Sequence, residues 1–172
     1  LAAVGRTDIP VGYGNDAPLE GSNSFPESWR QASDEFWGLP LPPVSEVTKP
    51  VPAAKLIVDT ISNSEKPVTI FISGSHTNLA EALRLDPGIA AHIDNVFIMG
   101  GSVNAPGNIH SDWPEFENEV AEWNIWVDPQ AAREVFSSGL PLHLVPLDAT
   151  RQVVWKQADV PGWKSGAPES KL

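Results

Sequence analysis

The chain has 172 residues, with 11 basic against 22 acidic side chains for a formal net charge of −11, and is 41% hydrophobic and 19% charged. That length suits one domain and that apolar content supports a buried core, which excludes intrinsic disorder. No apolar run approaches the roughly 20 residues that cross a bilayer, and the acidic balance repels phosphate backbones and anionic lipid, so membrane spanning and general nucleic-acid binding are excluded. There is no cysteine, so disulfides, thiolate zinc sites and cysteine nucleophiles are excluded too, while the redox compartment stays open. The start, Leu1-Ala2-Ala3-Val4-Gly5-Arg6, has neither the basic head nor the apolar stretch of a signal peptide and reads as the interior of something longer. A cytoplasmic location is slightly favoured over a secreted one.

Residues 1–52 are rich in glycine and proline and read as one short strand near Ile9 to Val11 followed by extended surface, with no domain boundary. From Ala53 to Ile61 apolar positions recur at helical spacing. Val68-Thr69-Ile70-Phe71-Ile72 has the composition of a strand buried on both faces, and Asn78 to Leu85 is rich in helix formers up to the stop at Asp86-Pro87-Gly88. Asn95 to Met99 forms the next strand, with Gly100-Gly101 as its exit and a polar stretch to about Glu122. A helix then starts at the N-cap Asp128 with Pro129 at its first position, and Gly139 lies past its end. Leu142 to Leu147 reads as a third strand, with Pro146 near its end, and 151–172 as a polar tail. Strands separated by helices imply an α/β fold, a mostly parallel sheet flanked by helices, spread over a loop-rich 1–52, an alternating 53–150 and the tail.

In such sheets ligands bind beyond the carboxyl ends of the strands. Ser73 to Asn78, Gly100 to Asn108 and Asp148 to Thr150 fall there, and all three are also ordinary turn and N-cap material. The connection from Gly100 to about Val120 is longer than a crossover requires, which favours function. Between Asp112 and Asn124 stand five carboxylates, most of them a solvated face. Glu122 and Asn124 differ: an extended stretch would place them on one face, and a carboxylate beside an amide suits sugar hydroxyls. His76 lies in a loop expected to face the site, His110 in the long loop, and His92 and His143 in or beside core elements; none pairs at metal-ligand spacing. Ser73 and Ser75 lack a hydrolase elbow, and no Gly-Lys-Ser/Thr follows Gly100-Gly101 to make a phosphate loop.

Six segments in order resemble the inosine-uridine-preferring nucleoside hydrolases, which split the N-glycosidic bond of ribonucleosides. They are Val4 to Val11, Thr77 to Leu83, Ile98-Met99-Gly100-Gly101, Gly107-Asn108, Glu122 to Ala132, and Val145 to Thr150. The resemblance implies an open Rossmann-like fold, incomplete in this chain, and a small-molecule ribonucleoside as substrate. It also implies Ca²⁺ with the Thr77 backbone carbonyl as a ligand, Asn108 and Glu122 on the ribose 5′-hydroxyl, Asn124 on the 2′ and 3′ hydroxyls, and Met99 beneath the sugar. Trp113 or Trp123 would flank the base, or belong to a core or lid. The family's Asp-x-Asp-Pro-Gly-x-Asp-Asp cluster does not occur in the 172 residues. The reading is therefore part of a longer or multi-chain hydrolase, a homo-oligomer or one with a companion chain completing the fold; the alternative is a non-catalytic nucleoside- or sugar-binding or structural relative.

Overall fold

The computed structural model describes residues 6, 8–39, 50–154 and 156. The expected tail at 157–172 and most of the proline-rich stretch lie outside them. Among the described residues no helix is long and apolar enough to cross a membrane.

The elements follow in chain order as β1 (Gly12–Tyr13), α1 (Glu27–Asp34), β2 (Val51–Pro52), α2 (Ala53–Ser62), β3 (Val68–Ile72), α3 (Thr77–Leu85), β4 (Ile93–Met99), α4 (Ile109–Asp112), α5 (Trp123–Trp126), α6 (Pro129–Phe136), β5 (Leu142–Val145) and α7 (Leu147–Thr150), with 3₁₀ turns at Phe36–Gly38 and Pro87–His92. The strands form two all-parallel sheets, β3-β4-β5 and the small β1-β2, so the chain is α/β as expected. The first strand lies slightly later than Ile9 to Val11, since Gly12 pairs with Val51 and Tyr13 with Pro52. A Cβ at Gly12 would stand 2.9 Å from the Ala53 Cα, so only glycine lets β1 approach the start of α2 this closely.

In the three-stranded sheet Ile70 and Ile72 register with Val96 and Ile98, and these with Leu142 and Leu144. Val96 and Ile98 are fully buried, and each such side chain contributes about 1.5–3 kcal/mol. Against this face pack Ile61 of α2, Leu79, Ala80 and Ala82 of α3, and Ala131 and Val135 of α6, a single core. Alanines on α3 and α6 allow those helices close approach, and Arg84 of α3 pairs with Glu134 of α6 at the rim. A second cluster gathers Ile109, Trp123 and Val127 with Phe25, Trp113 and Trp126. Helix α1, unexpected from the sequence, lies entirely outside the buried core and carries Trp29 against the Trp123 ring at 5.2 Å.

The α6 start matches its sequence signals. Asp128 caps the helix by accepting the Ala131 N–H at 3.0 Å, with Pro129 at the first position, and Gly139 takes φ +77° after the end. Its other oxygen accepts the Thr77 hydroxyl at 2.7 Å and the Leu19 N–H at 2.9 Å. Asp128 is only 1% exposed, so removing it orphans three donors away from water. Asp128→Ala is expected to cost roughly 3 kcal/mol, lowering Tm by about 6–12 °C for a domain of this size, and Thr77→Val to cost about a third as much. Urea and thermal unfolding check both; equal midpoints for wild type and Asp128→Ala would show that the carboxylate does not tie these elements together.

Candidate functional site

The carboxyl ends of β3, β4 and β5 are roofed by the loops after them and by the turn α5. Glu122 is the N-cap of α5, not part of a strand: its own backbone is extended, and its side chain then folds over the turn it begins. The expected extended run from Glu122 to Asn124 is thus corrected. The reason is local, because the Glu122 carboxylate accepts the N–H groups of Asn124 at 3.0 Å and Ile125 at 3.3 Å, and the Trp126 N–H donates to the Glu122 carbonyl at 2.8 Å. The same carboxylate accepts the Gly101 N–H at 2.9 Å. Gly101 takes φ +77°, a left-handed conformation that directs its N–H there. Glu122 is 3% exposed and three backbone donors hold it.

Asn124 reaches the sheet from above. Its Nδ2 donates to the Met99 carbonyl at 3.0 Å and lies 3.2 Å from the Met99 sulfur, with the Ser73 carbonyl at 3.5 Å. It thereby links α5 to the exits of β4 and β3. Asn108 sits on the other flank, its Oδ1 accepting the Trp123 N–H at 3.1 Å. The four residues Met99, Asn108, Glu122 and Asn124 are thus brought together around one helical turn. The backbone partners fix the amide orientations, so Asn108 presents its Nδ2 donor and Asn124 its Oδ1 acceptor, neither with a partner among the described residues. Glu122 Oε1 receives a single bond and keeps a lone pair. One donor and two acceptors beside a thioether fit a polyol lying on an apolar floor.

The loop carrying Asn108 is pinned from both sides. Asp148 accepts the N–H groups of Val103, Asn104 and Ala105 at 2.9, 2.7 and 3.1 Å, and these donors hold its carboxyl below the ordinary carboxylate range. The Arg151 guanidinium donates to the Gly107 carbonyl at 3.0 Å. Gly107 itself is pressed against the 119–121 backbone, where a Cβ would stand 2.3 Å from the Ala121 carbonyl oxygen. Arg151 is the residue that sequence reasoning did not single out; Asp148 and the Gly107-Asn108 pair stood in the strand-exit clusters, but neither the anchoring of the loop by Asp148 nor the backbone approach that requires the glycine was read there.

Thr77 opens α3, next to this cluster in the fold but turned toward Asp128, to which its hydroxyl donates. Its carbonyl lies in the first helical turn, where carbonyls already accept one ladder bond, leaving one lone pair. No group of three or more His, Asp or Glu side chains gathers among the described residues. Against the six to eight oxygens that Ca²⁺ takes, the described residues alone do not compose a calcium site.

Of the roles expected for Trp113 and Trp123, the packing matches the core alternative. Trp123 is buried between Phe25 at 5.7 Å and Trp29 at 5.2 Å, and its indole N–H donates to Asp112 at 3.1 Å. Trp113 is half-buried, edge-on to Trp29. Phe25, Trp29 and Trp37 line an open recess of about 680 Å³ together with Asp16, Glu27 and Arg30. His110 bonds the Phe116 carbonyl through Nδ1 at 2.9 Å, and His143 stacks on Phe97.

His76 is fully buried, and neither ring nitrogen has a hydrogen-bond partner among the described residues. Burial pushes its pKa below the ordinary histidine value, outweighing the nearby Asn124 backbone and Asp128, which pull upward. The unfolded chain therefore takes up the proton first. This contribution to stability is complete above the unfolded value near 6.5 and is lost as pH falls below it toward the folded value. The Tm of wild type relative to that of His76→Leu is expected to fall between pH 7.5 and 5.5, and a relative Tm that is constant or rises would contradict it. Gly107→Ala is expected to cost about 1–3 kcal/mol and to speed hydrogen exchange at the Asn108 and Trp123 amides. Unchanged protection there would mean that the loop is not held by this contact.

Comparison with known proteins gives this geometry a context. The family model described as inosine-uridine preferring nucleoside hydrolase matches residues 1–171. The pyrimidine-specific ribonucleoside hydrolase RihA of Enterobacter sp. is 37% identical over 163 residues, covering 93% of this chain and 48% of the relative. Among solved structures, the purine-preferring ribonucleoside hydrolase from Gardnerella vaginalis superposes with a TM-score of 0.79 at 25% identity, over 95% of this chain and 50% of its own. A plant nucleoside hydrolase, the PpNRh1 enzyme, superposes with a TM-score of 0.81 at 29% identity, over 99% and 52%. The chain spans about half the length of the relatives it matches. With the family model matched along nearly its whole length, the chain belongs to the inosine-uridine preferring nucleoside hydrolase family.

Proposed function

We propose that the chain contributes the ribose-binding half of an enzyme that hydrolyses the N-glycosidic bond of ribonucleosides to ribose and free base. The observation that supports this best is the grouping of Asn108, Glu122, Asn124 and Met99 around one helical turn, where backbone partners leave the Asn108 Nδ2, the Asn124 Oδ1 and one Glu122 lone pair uncommitted among the described residues. In this reading Asn108 and Glu122 hold the 5′-hydroxyl, Asn124 the ribose diol, and Met99 packs beneath the sugar. Glu122 is anionic where the ribosyl ring gains positive charge in an oxocarbenium-like transition state, and its three backbone bonds hold it there without reorganisation.

Ca²⁺ belongs to the same reading. This chain offers it the Thr77 carbonyl, and the remaining oxygens come from beyond the described residues, in a longer or multi-chain enzyme. When bound, the ion supplies a positioned water and a hold on hydroxyls. The second reading is a non-catalytic nucleoside- or sugar-binding or structural relative.

Ribose release from uridine and inosine by the complete protein separates the two. Asn124→Ala is expected to lower kcat/KM by at least about 10-fold through loss of hydrogen bonds to the diol, and a chelator to abolish turnover. Chelator-resistant turnover would remove calcium from the reading, and nucleoside binding with no ribose release would establish the second one.

A further inference from the structure

Asn108 and Glu122, which the proposed function places on the same hydroxyl, are separated in the chain by the excursion 109–121, and that excursion folds back on itself. The Gly107 N–H donates to the Glu119 carbonyl at 2.7 Å, the Asn108 N–H to the Ala121 carbonyl at 3.0 Å and the His110 N–H to the Asn118 carbonyl at 3.1 Å. The two ends of the excursion are thereby laid side by side, and α4 carries the first of them away from Asn108. Ile109 of this helix is fully buried, whereas Asp112 at its last position is exposed.

Three hydrogen bonds then close a ring. The Asp112 N–H donates to the Asn108 carbonyl at 3.1 Å, the Trp123 N–H to Asn108 Oδ1 at 3.1 Å, and the Trp123 indole N–H to the Asp112 carboxylate at 3.1 Å. The last of these ties the excursion to α5 at a point where Trp123 is 4% exposed and its indole has a single proton to give. Without an acceptor there the indole N–H is orphaned, and a Trp123 that shifts to reach water carries with it the backbone N–H that orients Asn108. The orientation matters because a hydroxyl has one proton. If Glu122 accepts it, Asn108 has to meet the hydroxyl oxygen with a donor, its Nδ2, and an amide turned over offers Oδ1 to an oxygen whose proton is already committed.

We propose that Asp112 is a positioning residue for the nucleoside site, holding Trp123 so that the Asn108 amide keeps its donor turned to the 5′-hydroxyl. The proposal rests on the ribose-binding reading and adds to it a residue that touches no substrate.

The test compares uridine with 5′-deoxyuridine in the complete protein, since only the first has the hydroxyl. Wild type is expected to prefer uridine in kcat/KM. Asp112→Ala is expected to lower kcat/KM for uridine roughly 5-fold, chiefly through KM, and to leave that for 5′-deoxyuridine almost unchanged, so that the preference falls. Asp112→Asn, which keeps an acceptor oxygen, should recover most of it. Trp123→Phe, which removes the donor and keeps an aromatic ring, should lower the preference as far as Asp112→Ala does, and the double variant no further. Equal losses on both nucleosides mark a purely structural role and overturn the proposal. So do an unchanged preference, losses that add in the double variant, or an Asp112→Asn protein as impaired as Asp112→Ala. Where no ribose is released, dissociation constants for the two nucleosides give the same ratio. A wild type that does not distinguish them removes Asn108 from the 5′-hydroxyl, and the ribose-binding reading with it; a preference that survives Asp112→Ala removes the role of Asp112 alone.

Discussion

Buried amide hydrogens at the start of a helix must find acceptors, and the organisation of this chain depends on how two such sets are satisfied. Glu122 and Asp128 each cap a short helix from its N-cap position, and each uses its remaining capacity on a distant segment. Glu122 binds the Gly101 N–H at the exit of β4, and Asp128 binds Leu19 N–H and the Thr77 hydroxyl. The segment between the caps is thereby fastened to β4, to the start of α3 and to the amino-terminal region. Because both carboxylates are buried, each of these bonds is costly to leave unmade. The side chains of Asn108 and Asn124 are positioned by this fastening. Asn124 lies two residues past one cap, and Asn108 is bound to the amide between them.

This arrangement gives Glu122 and Asn124 structural work beside any chemical role. Asn124 links α5 to Met99 through its Nδ2, leaving Oδ1 for a ligand, and Glu122 uses most of its lone pairs on backbone. A substitution at either position therefore changes the geometry as well as the contact, and its kinetic effect has to be read beside its effect on stability. The pinned loop from Val103 to Asn108 separates the two more cleanly, because Asp148 and Arg151 act on the backbone and not on the side-chain amides.

Strongly signalled elements were legible in the sequence. The Asp128-Pro129 start and Gly139 stop of α6 appear as expected, as does the periodic helix beginning at Ala53; β3 is the expected strand, but it is not buried on both faces, since Thr69 and Phe71 turn to an exposed side. What sequence spacing missed was decided by contacts distant along the chain. Alternation at Glu122 and Asn124 has the period of a strand, but a carboxylate able to accept two successive N–H groups turns the same residues into a helical cap. Helix α1 has no buried residue and so no apolar stripe to announce it. The burial of His76 is visible only once α6 brings Phe136 to its ring at 5.8 Å. The sugar-facing set came from resemblance to a family, and the reason those residues meet came from the caps.

Met99 joins the uncovered sheet face to the candidate site. Its side chain stands on the same face as Phe97, in register with Val145, and its sulfur touches the Asn124 amide. The site therefore opens at the carboxyl end of the very face that lacks a covering layer. Anything packed on Phe71, Phe97 and Val145 would end beside Met99 and exclude water from the Asn124 amide at its sulfur. Exclusion of water strengthens the electrostatic effect of Glu122 on a developing positive charge, since the field of a fixed carboxylate is weakened most by the solvent it is exposed to.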